Sequence, residues 1–351
     1  MKKILLFLLT IMVLTSCSKD ESNVLYVYNW GEYIEPALLD KFEKETGIKV
    51  IYDTFEQNED MYMKVKEGGS NYDVVVPSDY MAEKMIKQGM LEKIDYSKIP
   101  NFKYIDQRFR NLDYDPKNEY TVPYMWGTVG ILYNKNKVKE KVDSWNILWD
   151  EKYKDNIIMM NSTRDTLGVA LKRLGYSMNS RNDAELEKAK QSLIKQKDLV
   201  LAYLVDETKT QMVNEEADLA VMYSGDAIVS KGENENLEYV IPKEGSNLWF
   251  DTLAILKNAK NKENAEKFIN FMTNPENAKL NAEYIGYSLP STQARKLLDK
   301  EIQEDQTAYP DLSKHKNMEI FKDPSDFVEK YDDIWACLLY TSDAADDCCR
   351  V

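Results

Sequence analysis

Short apolar runs alternate with amphipathic stretches over the first hundred residues. Val24 to Asn29 is apolar and aromatic and reads as a strand. Pro36 suits the first turn of a helix that runs to about Thr46, and Gly47 closes it. Ile48 to Tyr52 is β-branched and aromatic, a second strand. Asn58 to Glu67 has helical spacing and stops at Gly68 and Gly69. Tyr72 to Val76 reads as a buried strand ended by Pro77, and Tyr80 to Gln88 as a helix ended by Gly89. The order βαβαβ predicts a parallel sheet with right-handed crossovers. Ligands of such sheets bind beyond the carboxyl ends of the strands. Asn29 to Tyr33 and Ser78 to Tyr80 therefore fall on one rim.

A second stretch repeats this grammar. Asn156 to Met160 reads as a strand, and Asn161 to Asp165 open a helix that runs through about Leu174. Asp183 to Lys197 is a charged amphipathic helix with Asn182 as its cap. Asp218 to Met222 is a strand, followed by Tyr223, Ser224, Gly225, Asp226 and another helix start. Polar and aromatic residues again gather just past strand ends.

The two ends of the chain follow other rules. Lys2 and Lys3 precede an apolar run from Ile4 to Leu14, too short for a stable membrane span, and Leu14-Thr15-Ser16-Cys17 resembles a bacterial lipobox. The expectation is a signal peptide over residues 1–17, lipidation of Cys17, and a tether over 18–23. Acyl chains contribute about 0.8 kcal/mol per buried CH2 and would hold the domain at a membrane. The other three cysteines lie within Cys337 to Val351, a stretch resembling a translated sequencing adapter and set aside from fold reasoning. About 315 residues remain, which suits two domains.

A net charge of -14 argues against nucleic acid as a partner and is permissive for a cationic ligand. His315 is the only histidine, so histidine catalysis and a His-rich metal site are not expected, nor is any cofactor. Trp30, Tyr33, Tyr80, Tyr223, Trp249 and Tyr287 stand beside Glu32, Asp165, Asp226 and Asp251 in the segments that follow or border strands. Taken singly, a Trp after a strand is more often core, and Asp165 or Asp226 suits a helix cap. Together, carboxylates can pair buried ammonium groups while aromatic rings cover methylenes and attract cations. A linear diamine or polyamine fits such a box.

Several segments resemble the spermidine/putrescine-binding proteins of bacterial importers. They are Tyr28 to Tyr33, Lys44 to Tyr52, Tyr72 to Ser78, Leu174 to Ser177, Trp249 to Ala254, Ile285 to Tyr287 and Ala294 to Leu298. The similarity runs from about Asn23 to Trp335. It implies a two-lobed α/β fold of the periplasmic-binding-protein-like type II class, with mixed sheets flanked by helices and joined by hinge crossings. Lobe 1 is expected over 24–127 plus 251–295, and lobe 2 over 128–250 plus 296–336. The aromatic box carries over to Trp30, Tyr33, Tyr80, Trp249 and Tyr287, with Tyr223 where a Trp is common. Asp251 matches an amine-pairing Asp, and Asp165 replaces a longer Glu. Asp226 matches an Asp of the putrescine-preferring type, and Gly31, Glu32 and Ser78 match smaller contacts. Ser162 departs from the family, standing where the spermidine type has a second Asp.

The resemblance implies an extracytoplasmic, lipid-anchored monomer that binds spermidine and/or putrescine and delivers it to ABC permease subunits. Three other readings stay open: the same fold with a sugar, amino-acid derivative or iron chelate; an enzyme with paired Asp carboxylates; and a surface lipoprotein without a pocket.

Overall fold

The structure, a computed structural model, describes residues 23–68 and 71–340. The signal segment with Cys17, the tether up to Ser22, Gly69 and residues 341–351 lie outside the described residues.

The strands are β1 (Val24–Trp30), β2 (Lys49–Phe55), β3 (Val74–Val75), β4 (Leu91–Glu92), β5 (Thr121–Asn134), β6 (Ile157–Met160), β7 (Val200–Leu204), β8 (Leu219–Tyr223), β9 (Leu237–Val240) and β10 (Leu248–Leu256). They form one mixed sheet in the order β2-β1-β3-β10-β5-β8-β6-β7, with β4 on β10 and β9 on β5. The helices of the first part are α1 (Pro36–Thr46), α2 (Asn58–Lys66) and α3 (Asp79–Lys87). Then come α4 (Thr163–Arg173), α5 (Asp183–Lys197), α6 (Glu207–Val213) and α7 (Ser224–Glu233). The last are α8 (Lys262–Met272), α9 (Pro275–Ile285), α10 (Thr292–Arg295), α11 (Lys300–Glu304) and α12 (Val328–Tyr340).

The βαβαβ reading holds: β1 lies between β2 and β3, parallel to both. Leu25 and Val27 of β1 enter one core cluster and Tyr28 the opposite one, so helices cover both faces, as parallel sheets require. The predicted strand from Tyr72 to Val76 has Val74 and Val75 as its paired residues, and backbone bonds continue on either side, Asp73 N donating to Tyr26 O, Leu256 N to Asp73 O and Val76 N to Tyr28 O. The Asp73 carboxylate also accepts from the amides of Tyr26 and Asn261.

A second parallel set is β8, β6 and β7. β5 joins the two sets: Thr121 to Thr128 pair with β10, whereas Val129 to Asn134 pair with β8 and β9. The chain thus passes from one half of the sheet to the other inside a single strand. The boundary expected between residues 295 and 296 lies at the end of helix α10, which is capped by Ser291 and tied to the first half by Thr292 Oγ1 donating to Tyr104 O. From there the chain passes Trp126, against which Tyr309 packs edge-on at 6.2 Å. It touches the second half where Lys231 donates to Thr307 Oγ1 at 2.7 Å, and pairs with it at Glu319, whose amide donates to Ser246 O.

Helix α12 packs on α4 and α5 through Tyr331, Ile334 and Leu338. That helix continues across Cys337, the start of the stretch set aside above, and Leu338 is 1 % exposed. Spacings of three and four residues from Tyr331 to Leu338 keep these side chains on one face, so the apolar stripe has no break at that boundary.

Candidate functional site

The carboxyl ends of β1, β3, β6 and β8, the first residues of β10 and the turn after α9 supply the candidate residues. Trp249 and Asp251 lie two apart on β10 and so point to the same face of the sheet. A register shift follows immediately between Asp251 and Thr252, a bulge of the kind that re-aims side chains beside sites.

Asp251 is 7 % exposed and its two oxygens are held by hydroxyls. Tyr33 donates to Oδ2 at 2.6 Å and Ser78 to Oδ1 at 2.7 Å. Burial pushes its carboxyl up to about 6, opposed by the two hydroxyl bonds. Tyr33 is itself braced, because Tyr124 donates to its carbonyl at 2.7 Å and Asn281 donates to the Tyr124 hydroxyl at 2.7 Å. A second acidic group forms past β6. Tyr223 donates to Asp165 Oδ2 at 2.9 Å and Ser162 to the same oxygen at 2.7 Å, while Asp165 Oδ1 is buried without a hydrogen-bond partner. Burial raises the Asp165 carboxyl as well; Ser162, Tyr223, Arg164 and Asn247 favour its charged form. The capping alternative is not realised here. Ser162 is the cap of α4, accepting from the Asp165 amide at 3.3 Å, and α7 has no side-chain cap, so the Asp226 carboxylate is not spent on one.

Aromatic rings connect these acids. Tyr33 meets Tyr287 edge-on at 5.6 Å, Tyr287 meets Trp249 at 5.3 Å, and Trp249 meets Tyr223 at 5.9 Å. Two glycines allow the approach. A Cβ on Gly225 would lie 1.3 Å from the Tyr287 ring, and one on Gly127 would lie 2.4 Å from the Trp249 ring. Tyr287 also donates to Asp226 Oδ2 at 3.2 Å, and Lys209 Nζ lies 3.3 Å from Asp226 Oδ1. Burial raises the Asp226 carboxyl, and Lys209 opposes it.

The structure thus brings together Tyr33, Ser78, Ser162, Asp165, Tyr223, Asp226, Trp249, Asp251 and Tyr287. Tyr80 joins through Asn58, whose Nδ2 donates to Ser78 Oγ at 3.2 Å and to the Tyr80 hydroxyl at 3.0 Å. Trp30 packs on Phe55 at 4.5 Å, and Gly31 and Glu32 form an exposed turn with Glu32 at φ 49. These three have no hydrogen bond or ring contact to the acids among the described residues.

Sequence reasoning missed Asn58, Asp79, Arg164 and Lys209. Asp79 is buried and ties β10 to α3, accepting from the amides of Phe250 at 2.9 Å and Tyr80 at 2.7 Å. Arg164 lies over the Tyr80 ring at 5.6 Å, a contact between the two halves. An Asn opening α2 and an Asp before Tyr80 were visible signals; Arg164 and Lys209 sit in ordinary helix turns and carried none.

No helix among the described residues is long and apolar enough to cross a membrane. The family model of the bacterial extracellular solute-binding proteins matches residues 37–310. The chain is 44 % identical over 309 residues to the spermidine/putrescine-binding periplasmic protein of Escherichia coli strain K12, covering 87 % of this chain and 88 % of that one. Two solved structures are similar over most of both chains. The spermidine/putrescine ABC transporter substrate-binding protein of Streptococcus pneumoniae has a TM-score of 0.81 at 44 % identity, covering 90 % of this chain and 98 % of that one. A lipoprotein of Treponema pallidum has a TM-score of 0.82 at 30 % identity, covering 90 % and 99 %. With its residues matched from the first helix to beyond the last site tyrosine, the chain belongs to the bacterial extracellular solute-binding protein family.

Proposed function

We propose that this protein is the extracytoplasmic receptor of an ABC importer, binding spermidine and/or putrescine between two lobes and delivering it to the permease. One observation carries the ligand class. Asp251 is a buried carboxylate held by two neutral hydroxyls and bordered by aromatic rings, without a Lys or Arg ion pair among the described residues. Such a group is costly in a folded protein unless a cation arrives to pair with it. An ammonium supplies that charge, and its methylenes suit the faces of Trp249, Tyr287 and Tyr223.

Tyr33, Ser78, Asp251, Trp249 and Tyr287 form the centre of the binding box, with Ser162, Asp165, Tyr223 and Asp226 on the other side and Trp30, Gly31, Glu32 and Tyr80 at its border. The lobes comprise 24–127 plus 251–295 and 128–250 plus 296–336, hinged where β5 and β10 are shared. A ligand that touches both lobes only when they meet favours the closed form. Contacts between the halves support that arrangement: the Asp323 amide donates to Glu83 Oε2 at 2.7 Å, and Lys87 Nζ lies 3.5 Å from Asp323 Oδ2. The protein acts by binding rather than catalysis, as a monomer held at the membrane by acylated Cys17. The family supports an extracytoplasmic location, and the likeness to the Treponema pallidum lipoprotein supports the anchor.

Calorimetric titration with putrescine, spermidine, spermine and a neutral alkyl diol tests the reading. The amines bind, the diol does not, and Asp251→Asn loses most of the affinity. Equal binding of the diol would refute the pairing of carboxylate with ammonium.

A further inference from the structure

Asp226 differs from the other two acids of the box in the charge of its partners. Asp251 and Asp165 are held by hydroxyls, which orient a carboxylate without neutralising it. Arg164 acts on Asp165 only through space, since its Nη1 and Nη2 donate to Lys322 O and Asn179 Oδ1. Asp226 instead faces an ammonium: Lys209 Nζ stands 3.3 Å from its Oδ1, while Tyr287 occupies Oδ2. The Lys209 side chain is 34 % exposed against 13 % for Asp226, so a flexible cation reaches from the surface onto a partly buried acid. Asp206, just before α6, adds a second negative charge near this end.

We propose that Lys209 is a specificity-determining residue, a resident ammonium that occupies the Asp226 end of the cleft and biases it toward diamines over triamines. The inference rests on the polyamine reading above. Two acids without a cation of their own, Asp251 and Asp165, match the two charges of a diamine. The acid left for the third ammonium of a triamine within the ring of aromatic contacts is Asp226, where it displaces Lys209 or sits beside it. Like charges a few ångströms apart at a partly buried site repel strongly enough to change affinity by roughly tenfold.

The test is titration of the full chain and two variants with putrescine and with spermidine, alongside thermal melting. The wild type prefers putrescine. Lys209→Met raises spermidine affinity relative to putrescine by roughly tenfold. Asp226→Asn moves the ratio the other way, because it leaves the Lys209 charge uncompensated. This second variant also keeps the test decisive if Lys209→Met melts early. A wild type that clearly prefers spermidine, or a ratio unchanged in both variants, overturns the role of Lys209 while leaving the polyamine reading intact. Failure of the wild type to bind either amine overturns both.

Discussion

The hydroxyl of Tyr33 donates to Asp251 Oδ2 at 2.6 Å, joining residues 218 positions apart. The bond exists because β1 and β10 lie in the same half of the sheet, each paired to β3, and the turn after β1 folds back over β10. Tyr33→Phe removes one hydroxyl from the acid and lowers polyamine affinity about tenfold, the lower end of the worth of one hydrogen bond to a charged group. Asp251→Asn removes the charge itself and costs roughly a hundredfold or more. Calorimetry on both variants checks the order. A Tyr33→Phe loss as large as that of Asp251→Asn would mean the hydroxyl itself is the main ligand contact.

The pH response of Asp251 has two opposite signs. Its carboxyl is raised from 3.8 to about 6 by burial, so between these values the folded chain holds more protons than the unfolded one. The contribution of this group to stability is therefore greatest below pH 4 and falls by about 3 kcal/mol as pH rises through 6. Asp251→Asn lacks that loss, so its melting temperature gains on the wild type between pH 4 and pH 7. Ligand affinity runs the other way, because an ammonium needs the ionised acid: it falls as pH drops below about 6, where binding releases protons. Titrations in buffers of different ionisation enthalpy read that release. The raised carboxyls of Asp165 and Asp226 add in the same direction.

Gly225 is a packing requirement of Tyr287. In Gly225→Ala the new methyl collides with the ring and pushes Tyr287 off both Asp226 and Trp249. Overpacking of this kind costs about 1–3 kcal/mol, visible as a lower melting temperature together with weaker binding. Adding Tyr287→Ala to Gly225→Ala restores the melting temperature without restoring affinity. Recovery of both would remove Tyr287 from the ligand box.

Glu83 stands outside the ligand box, at a contact between the halves. Glu83→Ala lowers affinity about threefold through faster release, since it weakens the closed form without touching ligand. Stopped-flow release and small-angle scattering of the ligand-bound protein measure this. An unchanged release rate would show that the Asp323 contact does not hold the closure.

Local features were legible in the chain. Pro36 at the start and Gly47 at the end of α1, Asn182 before α5, and β-branched runs with turn residues after them each act within a few residues, so these helices and the parallel pairing of the first three strands could be read directly. The acids of the candidate site were visible as residues past strand ends, but their local roles were ambiguous. Asp165 suits a helix cap as well as a ligand contact, and only Ser162 taking the capping position resolves that choice.

The resemblance to a family, rather than any periodicity, pointed to Tyr287, which follows a helix instead of a strand. Its ring reaches Trp249 and Asp226 only because Gly225 leaves room for it. Lys209 shows the same limit more sharply. In sequence it is one lysine in a charged helical turn, and nothing within several residues marks it out. Its meaning depends on where its ammonium lands. Sequence alone determined the alternating strands and helices of the first hundred residues and several elements of the second half, and that carboxylates and aromatic rings cluster beside them. Tertiary structure decided which acids keep their charge free, because Asp251 meets hydroxyls and Asp226 meets Lys209 only when distant elements pack together.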